Sequence, residues 1–198
     1  MDLDAIIKER RSIRKYSDKM PKFEIIHNIL DSARSAPTSG NLQDFRFIVV
    51  HDKKTKEEIA EASLNQVWMN SAPVFVVICS DIQKLESFYK NRAKDYSLQN
   101  SAAVAMLISL KAVDLGLSTC WVNVFDQNAV SRILKLSPAI KPQIILTIGY
   151  SEEKESPQKK ESKISLRLIT FFNKLGNKSP GWPVEKYKDK LKKLIKKK

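Results

Sequence analysis

Apolar and polar residues recur along this chain in two rhythms, and those rhythms assign most of its elements. Leu3, Ile6 and Ile7 sit at helical spacing among acidic residues and predict a short opening helix over residues 2–10. Behind Pro21, the residues Phe23, Ile25, Ile26, Ile29, Leu30 and Ala33 repeat with a helical period, which predicts a second helix. It stops at Pro37-Thr38-Ser39-Gly40-Asn41, a run with strong turn chemistry. Phe45 to Val50 reads as a strand and Lys53 to Ala62 as a charged amphipathic helix. Pro73 to Cys79 is an almost unbroken apolar, β-branched run, the pattern of a strand covered on both faces. Asp95 to Leu115 is the longest predicted helix. From Ala102 to Leu110 it is apolar nearly all round, which places it centrally, and Gly116 ends it. Thr119 to Phe125 predicts another strand, Gln127 to Leu136 another amphipathic helix, and Ile144 to Tyr150 a further buried strand. Helices alternating with short buried strands predict an α/β sandwich around a mixed sheet.

After Tyr150 the pattern changes. Ser151 to Ser162 carries mixed charge without periodicity and reads as an exposed strap. Ile164 to Phe172 is apolar again and needs a surface to bury it. Val184 to Lys198 places Tyr187, Leu191, Leu194 and Ile195 on one helical face among lysines.

Composition narrows the classes. The chain has 198 residues, of which 42% are hydrophobic, enough for a sizeable core, so wholesale disorder is excluded. The net charge of +13 is uneven. Residues 1–150 hold 20 basic and 16 acidic groups, and residues 151–198 hold 15 and 6, so the basicity is mainly C-terminal. The five glycines are too scattered for a GxGxxG dinucleotide fingerprint or a Walker phosphate loop. His27, His51, Cys79 and Cys120 do not build a zinc spacing, and no metal site is expected. Both cysteines sit in apolar runs and read as buried thiols. No secretory signal is evident at the N-terminus, and the uncharged stretch Tyr96 to Leu110 within the longest predicted helix falls short of the ~20 residues a membrane span needs. A soluble cytoplasmic protein without a membrane partner is the expectation.

Three clusters can carry chemistry. Arg10, Arg11, Ser12 and Arg14 gather three guanidiniums and a hydroxyl within five residues. Forked arginine donors match phosphate oxygens, which suits a dianion. The plain alternative is a solvated basic helix end. The turn at Ser39, Gly40, Asn41 and Gln43 can expose backbone N–H groups, and its amides can read the polar edge of a heteroaromatic ring. The plain alternative is an ordinary helix-to-strand turn. The third cluster is Gly116 to Asp126, where backbone at a strand end could line a planar ligand; core packing is its alternative. Neither histidine is accompanied by a GxSxG elbow.

Taken in order, Arg10-Arg11-Ser12-Ile13-Arg14-Lys15-Tyr16, Ala36 to Gln43, Ala72-Pro73-Val74, Gly116 to Val122 and Ile148-Gly149-Tyr150 resemble the FMN-dependent nitroreductase family over about residues 3–150. Ile169 to Gly176 is similar to C-terminal segments of that family. The resemblance implies an α+β fold, a three-layer α/β/α sandwich with a C-terminal extension, acting as a homodimer with FMN in clefts at the dimer interface. It divides the chain into an FMN-binding core over 1–150, an extension over 151–180 that embraces the partner subunit, and a basic tail helix over 181–198. It assigns the FMN phosphate to Arg10, Ser12 and Arg14, with Arg11 alongside, and Lys159 or Lys160 as the basic residue completing that site. Ser39, Asn41 and Gln43 fall near the flavin ring and ribityl chain, Val122, Asn123 and Val124 flank the ring, and Gln66 matches a polar position.

The chain also departs from the pattern. Asp44-Phe45 replaces the usual Pro-Trp, Asn123-Val124 replaces small residues, and a long helical insertion of larger members is missing. The resemblance further implies hydride transfer from NADH or NADPH to flavin and on to a small electron acceptor such as a nitroaromatic or quinone, by ping-pong kinetics. No side-chain nucleophile is required. Two other readings stay open: a flavin-binding protein without turnover, and nucleic-acid binding by the lysine-rich tail, for which a solvated amphipathic helix is the plainer account.

Overall fold

The sheet is organised by the strand that the apolar run predicts. The computed structural model describes residues 2–152 and 163–177, and in it this strand, β2, spans Val74–Asp81. It pairs antiparallel with β1 (Phe45–Val50) on one side and with β4 (Ile140–Gly149) on the other. β3 (Ser118–Val122) pairs antiparallel with β4, giving the order β1-β2-β4-β3. Side chains alternate across β2 as the pleat requires. Val74, Val76 and Ile78 face one core; Phe75, Val77 and Cys79 face the other. All six are fully buried, and burying each larger side chain stabilises the fold by roughly 1.5–3 kcal/mol.

Helices cover both faces. On one lie α2 (Phe23–Ala33) and the 22-residue α5 (Ala93–Asp114), contributing Ile26, Ile29, Val104 and Ile108 to the first core. On the other lie α3 (Lys53–Ala62) and α6 (Gln127–Ile133), contributing Ile59, Ala60 and Val130 to the second. The result is the expected three-layer sandwich. α1 (Leu3–Glu9) opens the chain, α4 (Ile82–Tyr89) precedes α5, and α7 (Leu166–Ile169) is a short turn of helix.

Two expectations need correction in detail. The pattern predicts a mixed sheet, but the four strands pair only antiparallel, and the one parallel pairing among the described residues is the isolated bridge Ser12↔Thr119. Two-sided burial makes a strand read as apolar throughout and carries no information on direction. The strand expected to reach Phe125 ends at Val122, whose partner Ile145 closes the ladder. From there the chain turns so that the Asp126 N–H donates to the Ala62 carbonyl at 2.8 Å and the Asp126 carboxylate caps α6.

α5 ends as its glycine dictates. Gly116 adopts φ +75°, the Leu117 N–H reaches back to the Ala112 carbonyl at 2.8 Å, and the Gly116 N–H reaches the Val113 carbonyl at 3.0 Å. This Schellman ending drops the chain straight into β3. The residues divide into two compact units, 1–154 and 155–198, of which the second is described over 163–177. There Ile164, Leu166, Leu168, Ile169 and Leu175 are exposed.

Candidate functional site

The arginine segment is extended backbone laid along the end of the sheet. Arg10 closes α1 through its N–H on the Ile6 carbonyl at 2.9 Å. Ser12 bridges Thr119 of β3, and the Ile13 N–H donates to the Thr119 carbonyl at 3.1 Å. Farther on, the Ser17 N–H donates to the Tyr150 carbonyl at 2.9 Å, just past the end of β4. Tyr16 is buried between these anchors, with its hydroxyl 2.8 Å from the Thr147 hydroxyl. Burial pushes its phenol above the ordinary value, and the Thr147 bond opposes this. Gly149 is needed beside it: a Cβ there would lie 2.5 Å from Pro73 Cδ and 3.0 Å from Tyr16 Cδ1.

This anchoring leaves Arg11, Ser12 and Arg14 exposed and Arg10 half-buried. Arg11 folds its guanidinium onto the Lys8 and Arg10 carbonyls. The Arg14 guanidinium lies 5.7 Å from the centre of the Trp68 ring, within cation–π range. Ser12 and Arg14 both lie against Cys120. Burial raises that thiol's pKa, and the Arg14 charge and the hydrogen bonds of Ser12 and Arg14 hold it back. Among the described residues, no carboxylate lies in ion-pair range of Arg10, Arg11 or Arg14.

Trp68 ties this segment to two further predicted residues. Its indole N–H donates to Gln66 Oε1 at 3.3 Å, and Gln66 Nε2 donates to the Ser63 carbonyl at 2.8 Å and the Val124 carbonyl at 3.4 Å. Arg14, Gln66 and Val124 are thereby brought into one neighbourhood. Asn123 and Val124 are exposed, and the Asn123 side-chain carbonyl oxygen accepts from the Trp121 indole N–H. The Val122 side chain is buried in the second core.

The turn forms a second group. Gly40, Asn41 and Gln43 all hold positive φ, at 57°, 55° and 48°. The Gln43 N–H donates to the Thr38 hydroxyl at 3.1 Å, and Gln43 Nε2 donates to Asn41 Oδ1 at 3.3 Å. Ser39 is held from α5: Asn100 Oδ1 accepts from its N–H at 3.0 Å and from its hydroxyl at 3.1 Å. Among the described residues, no hydrogen bond or ion pair joins this turn to the arginine group.

Trp68, Asn100 and Tyr89, whose hydroxyl packs over Gly40, join these groups unannounced by any sequence motif. The sequence clue for Trp68 is its place two residues after Gln66. Lys159, Lys160 and the lysine-rich tail lie outside the described residues. His51 meets the edge of the Phe23 ring, and among the described residues neither it nor His27 hydrogen-bonds a serine or carboxylate. Cys79 and Cys120 are free, buried thiols, the former pushed up to about 12 by burial. The described residues contain no cluster of three metal-ligating side chains and no helix long and apolar enough to cross a membrane.

The arginine group is a donor set without an internal acid. Its guanidiniums and hydroxyl can donate several charge-assisted hydrogen bonds to one anion, which fits the phosphate of a flavin mononucleotide.

Comparison with known proteins agrees with this architecture. A Methanothermobacter thermautotrophicus protein, provisionally named NADH dehydrogenase/NAD(P)H nitroreductase, is 30% identical over 159 residues, covering 77% of this chain and 79% of the relative. A crystal structure of a nitroreductase family protein from Clostridium difficile 630 superposes with a TM-score of 0.77 at 28% identity, covering 88% of this chain and 100% of the other. An FMN-dependent nitroreductase from Clostridium difficile R20291 gives a TM-score of 0.72 at 27% identity, with 85% and 98% coverage. The family model described as the nitroreductase family matches residues 7–71 and 63–150. With the motifs, the three-layer fold and this match in agreement, the chain belongs to the nitroreductase family.

Proposed function

We propose that this chain is an FMN-dependent oxidoreductase that draws electrons from NADH or NADPH and passes them to a small electrophile such as a nitroaromatic or quinone. One observation carries the reading. Three guanidiniums and a serine hydroxyl are fixed by backbone anchors at the sheet edge, with no carboxylate among the described residues to neutralise them. Family membership supports it, as do the FMN dependence and the NAD(P)H use that the names of two relatives state for those proteins.

When bound, FMN supplies two-electron transfer between nicotinamide and acceptor. The chain's residues bind and orient. Arg10, Arg11, Ser12 and Arg14 hold the phosphate. Trp68 fixes Arg14 by lying against its guanidinium. Asn41 and Gln43, splayed by left-handed backbone, present amide groups to the ring edge and ribityl chain, with Ser39 at the base of the turn. Gln66, Asn123 and Val124 border the flavin ring, and Val122, whose side chain is buried in the second core, does so through its backbone. The protein works as a cytoplasmic homodimer, with residues 1–150 as the core, 151–180 embracing the partner and 181–198 as a basic tail.

The test is the absorbance spectrum of the purified protein, followed by anaerobic titration with NADH and NADPH. Oxidised-flavin bands that bleach with one donor are expected. A colourless protein that takes up no added FMN overturns the proposal. Bands that resist both donors leave a flavin-binding protein without turnover.

A further inference from the structure

Asp44 is an acidic side chain with 0% exposure, directly behind the turn that carries Asn41 and Gln43. A buried carboxylate is costly unless its oxygens are hydrogen-bonded. Both are: Asn100 Nδ2 donates to Asp44 Oδ1 at 2.7 Å, and the Ser80 hydroxyl donates to Oδ2. The backbone is locked too, because the Asp44 carbonyl accepts from the Asp81 N–H at 2.8 Å.

The bond to Asn100 fixes the orientation of that amide. With its NH2 committed to Asp44, the Asn100 carbonyl oxygen points to Ser39, where it accepts from both the N–H and the hydroxyl. The chain of contacts thus runs from β2 through Asp44 to α5 and into the first residue of the turn. Beyond that point the backbone is left-handed at Gly40, Asn41 and Gln43, a conformation that non-glycine residues keep only when their surroundings enforce it. Asp44 also stands where the resembling family usually has proline.

We infer that Asp44, acting through Asn100, is a positioning residue that sets the direction in which Asn41 and Gln43 face a bound flavin. This inference rests on the FMN reading above. The relay has a handedness that can be exchanged. Asn100→Asp alone sets two carboxylates against each other and breaks the relay. The double variant Asp44→Asn with Asn100→Asp restores it. The amide introduced at position 44 can donate to the carboxylate introduced at position 100, which still accepts from Ser39.

Two readouts on the full chain test this. The first is hydrogen exchange of the 39–43 amides in protein stripped of flavin, with β2 and β4 amides as the internal reference. The second is FMN affinity by fluorescence titration. Asn100→Asp is expected to speed turn exchange and weaken FMN binding by about tenfold each, and the double variant to restore both. If Asn100→Asp fails to fold, Ser39→Ala removes one of the two bonds to Asn100 Oδ1 and is expected to move both readouts in the same direction by less. Equal acceleration in the turn and the strands, or loosened turn amides with unchanged FMN affinity, overturns the inference and leaves the FMN reading standing. Failure of the wild type to take up FMN overturns that reading, and this inference with it, whatever the exchange arm reports.

Discussion

Residues 10–16 and residues 38–44 both contribute to the proposed site, and different means predominate in holding them. The first stretch is pinned by main-chain contacts to Thr119, Tyr150 and Ser151, so its arginine side chains stay uncommitted by any carboxylate among the described residues. The second is held mainly by side chains, with Ser39, Asn100, Asp44 and Ser80 forming one chain of hydrogen bonds that is half-buried at Ser39 and buried beyond it. The difference suits the role proposed for each region. A phosphate-binding segment needs free cationic donors on a fixed frame, so the frame must come from the backbone. A ring-reading turn needs direction more than charge, and a satisfied polar network gives one defined geometry.

Four perturbations break or sharpen this contrast, in order of falling effect. Arg14→Ala removes a cationic donor that no described carboxylate engages, while sparing the frame. It should weaken FMN binding by about 1.5–3 kcal/mol, read by flavin fluorescence titration, without lowering the urea midpoint of the flavin-free protein. Unchanged affinity would remove Arg14 from the phosphate site. Gly149→Ala attacks the frame itself, since the new Cβ meets Pro73 Cδ at 2.5 Å and Pro73 Cγ at 2.9 Å. Overpacking against these ring atoms should cost about 1–3 kcal/mol in urea unfolding. A full-stability variant would show that β4 can shift there.

Trp68→Leu removes the aromatic surface beside Arg14 but keeps bulk in the second core. FMN affinity should fall by about 0.5–1 kcal/mol, less than for Arg14→Ala. A loss as large as that of Arg14→Ala would mean that Trp68 touches the ligand itself. Asp52 gives the smallest effect and, sharing no hydrogen bond or ion pair with either stretch among the described residues, serves as a control. Its carboxylate caps α3, accepting from the Thr55 N–H and hydroxyl at 2.8 Å each, and these bonds lower its pKa below the ordinary 3.8. Its stabilising contribution is therefore full above that value and is lost as pH falls through the lower folded one. Below pH 3.8 the melting temperature of wild type should drop more steeply than that of Asp52→Asn, whose amide caps without titrating. Parallel slopes would contradict the cap's charge dependence.

The two stretches also differ in how far the sequence discloses them. The arginine cluster is legible because its chemistry is local, three guanidiniums in five residues. β2 and α5 are legible for a similar reason, since continuous burial writes a continuous apolar run. α4 is not: Leu85 is its only buried side chain, and one residue makes no period. The role of Asp44 is equally hidden. The sequence shows it only as a departure from proline, while its partner Asn100 lies 56 residues away in the polar first half of α5, where nothing marks it out from Ser97, Gln99 or Ser101. Strand direction is hidden because burial on both faces looks alike in parallel and antiparallel ladders. Trp68 is a middle case, adjacent to Gln66 in sequence but joined to Arg14 only by the fold.

The proposed site turns on whether the guanidiniums of the first stretch, which no described carboxylate neutralises, grip a phosphate. Parallel titration of the flavin-free wild type with FMN and with riboflavin, which lacks only that group, tests it most directly. FMN is expected to bind at least about tenfold more tightly than riboflavin, and Arg14→Ala to narrow the gap. Equal affinity for the two flavins would contradict it.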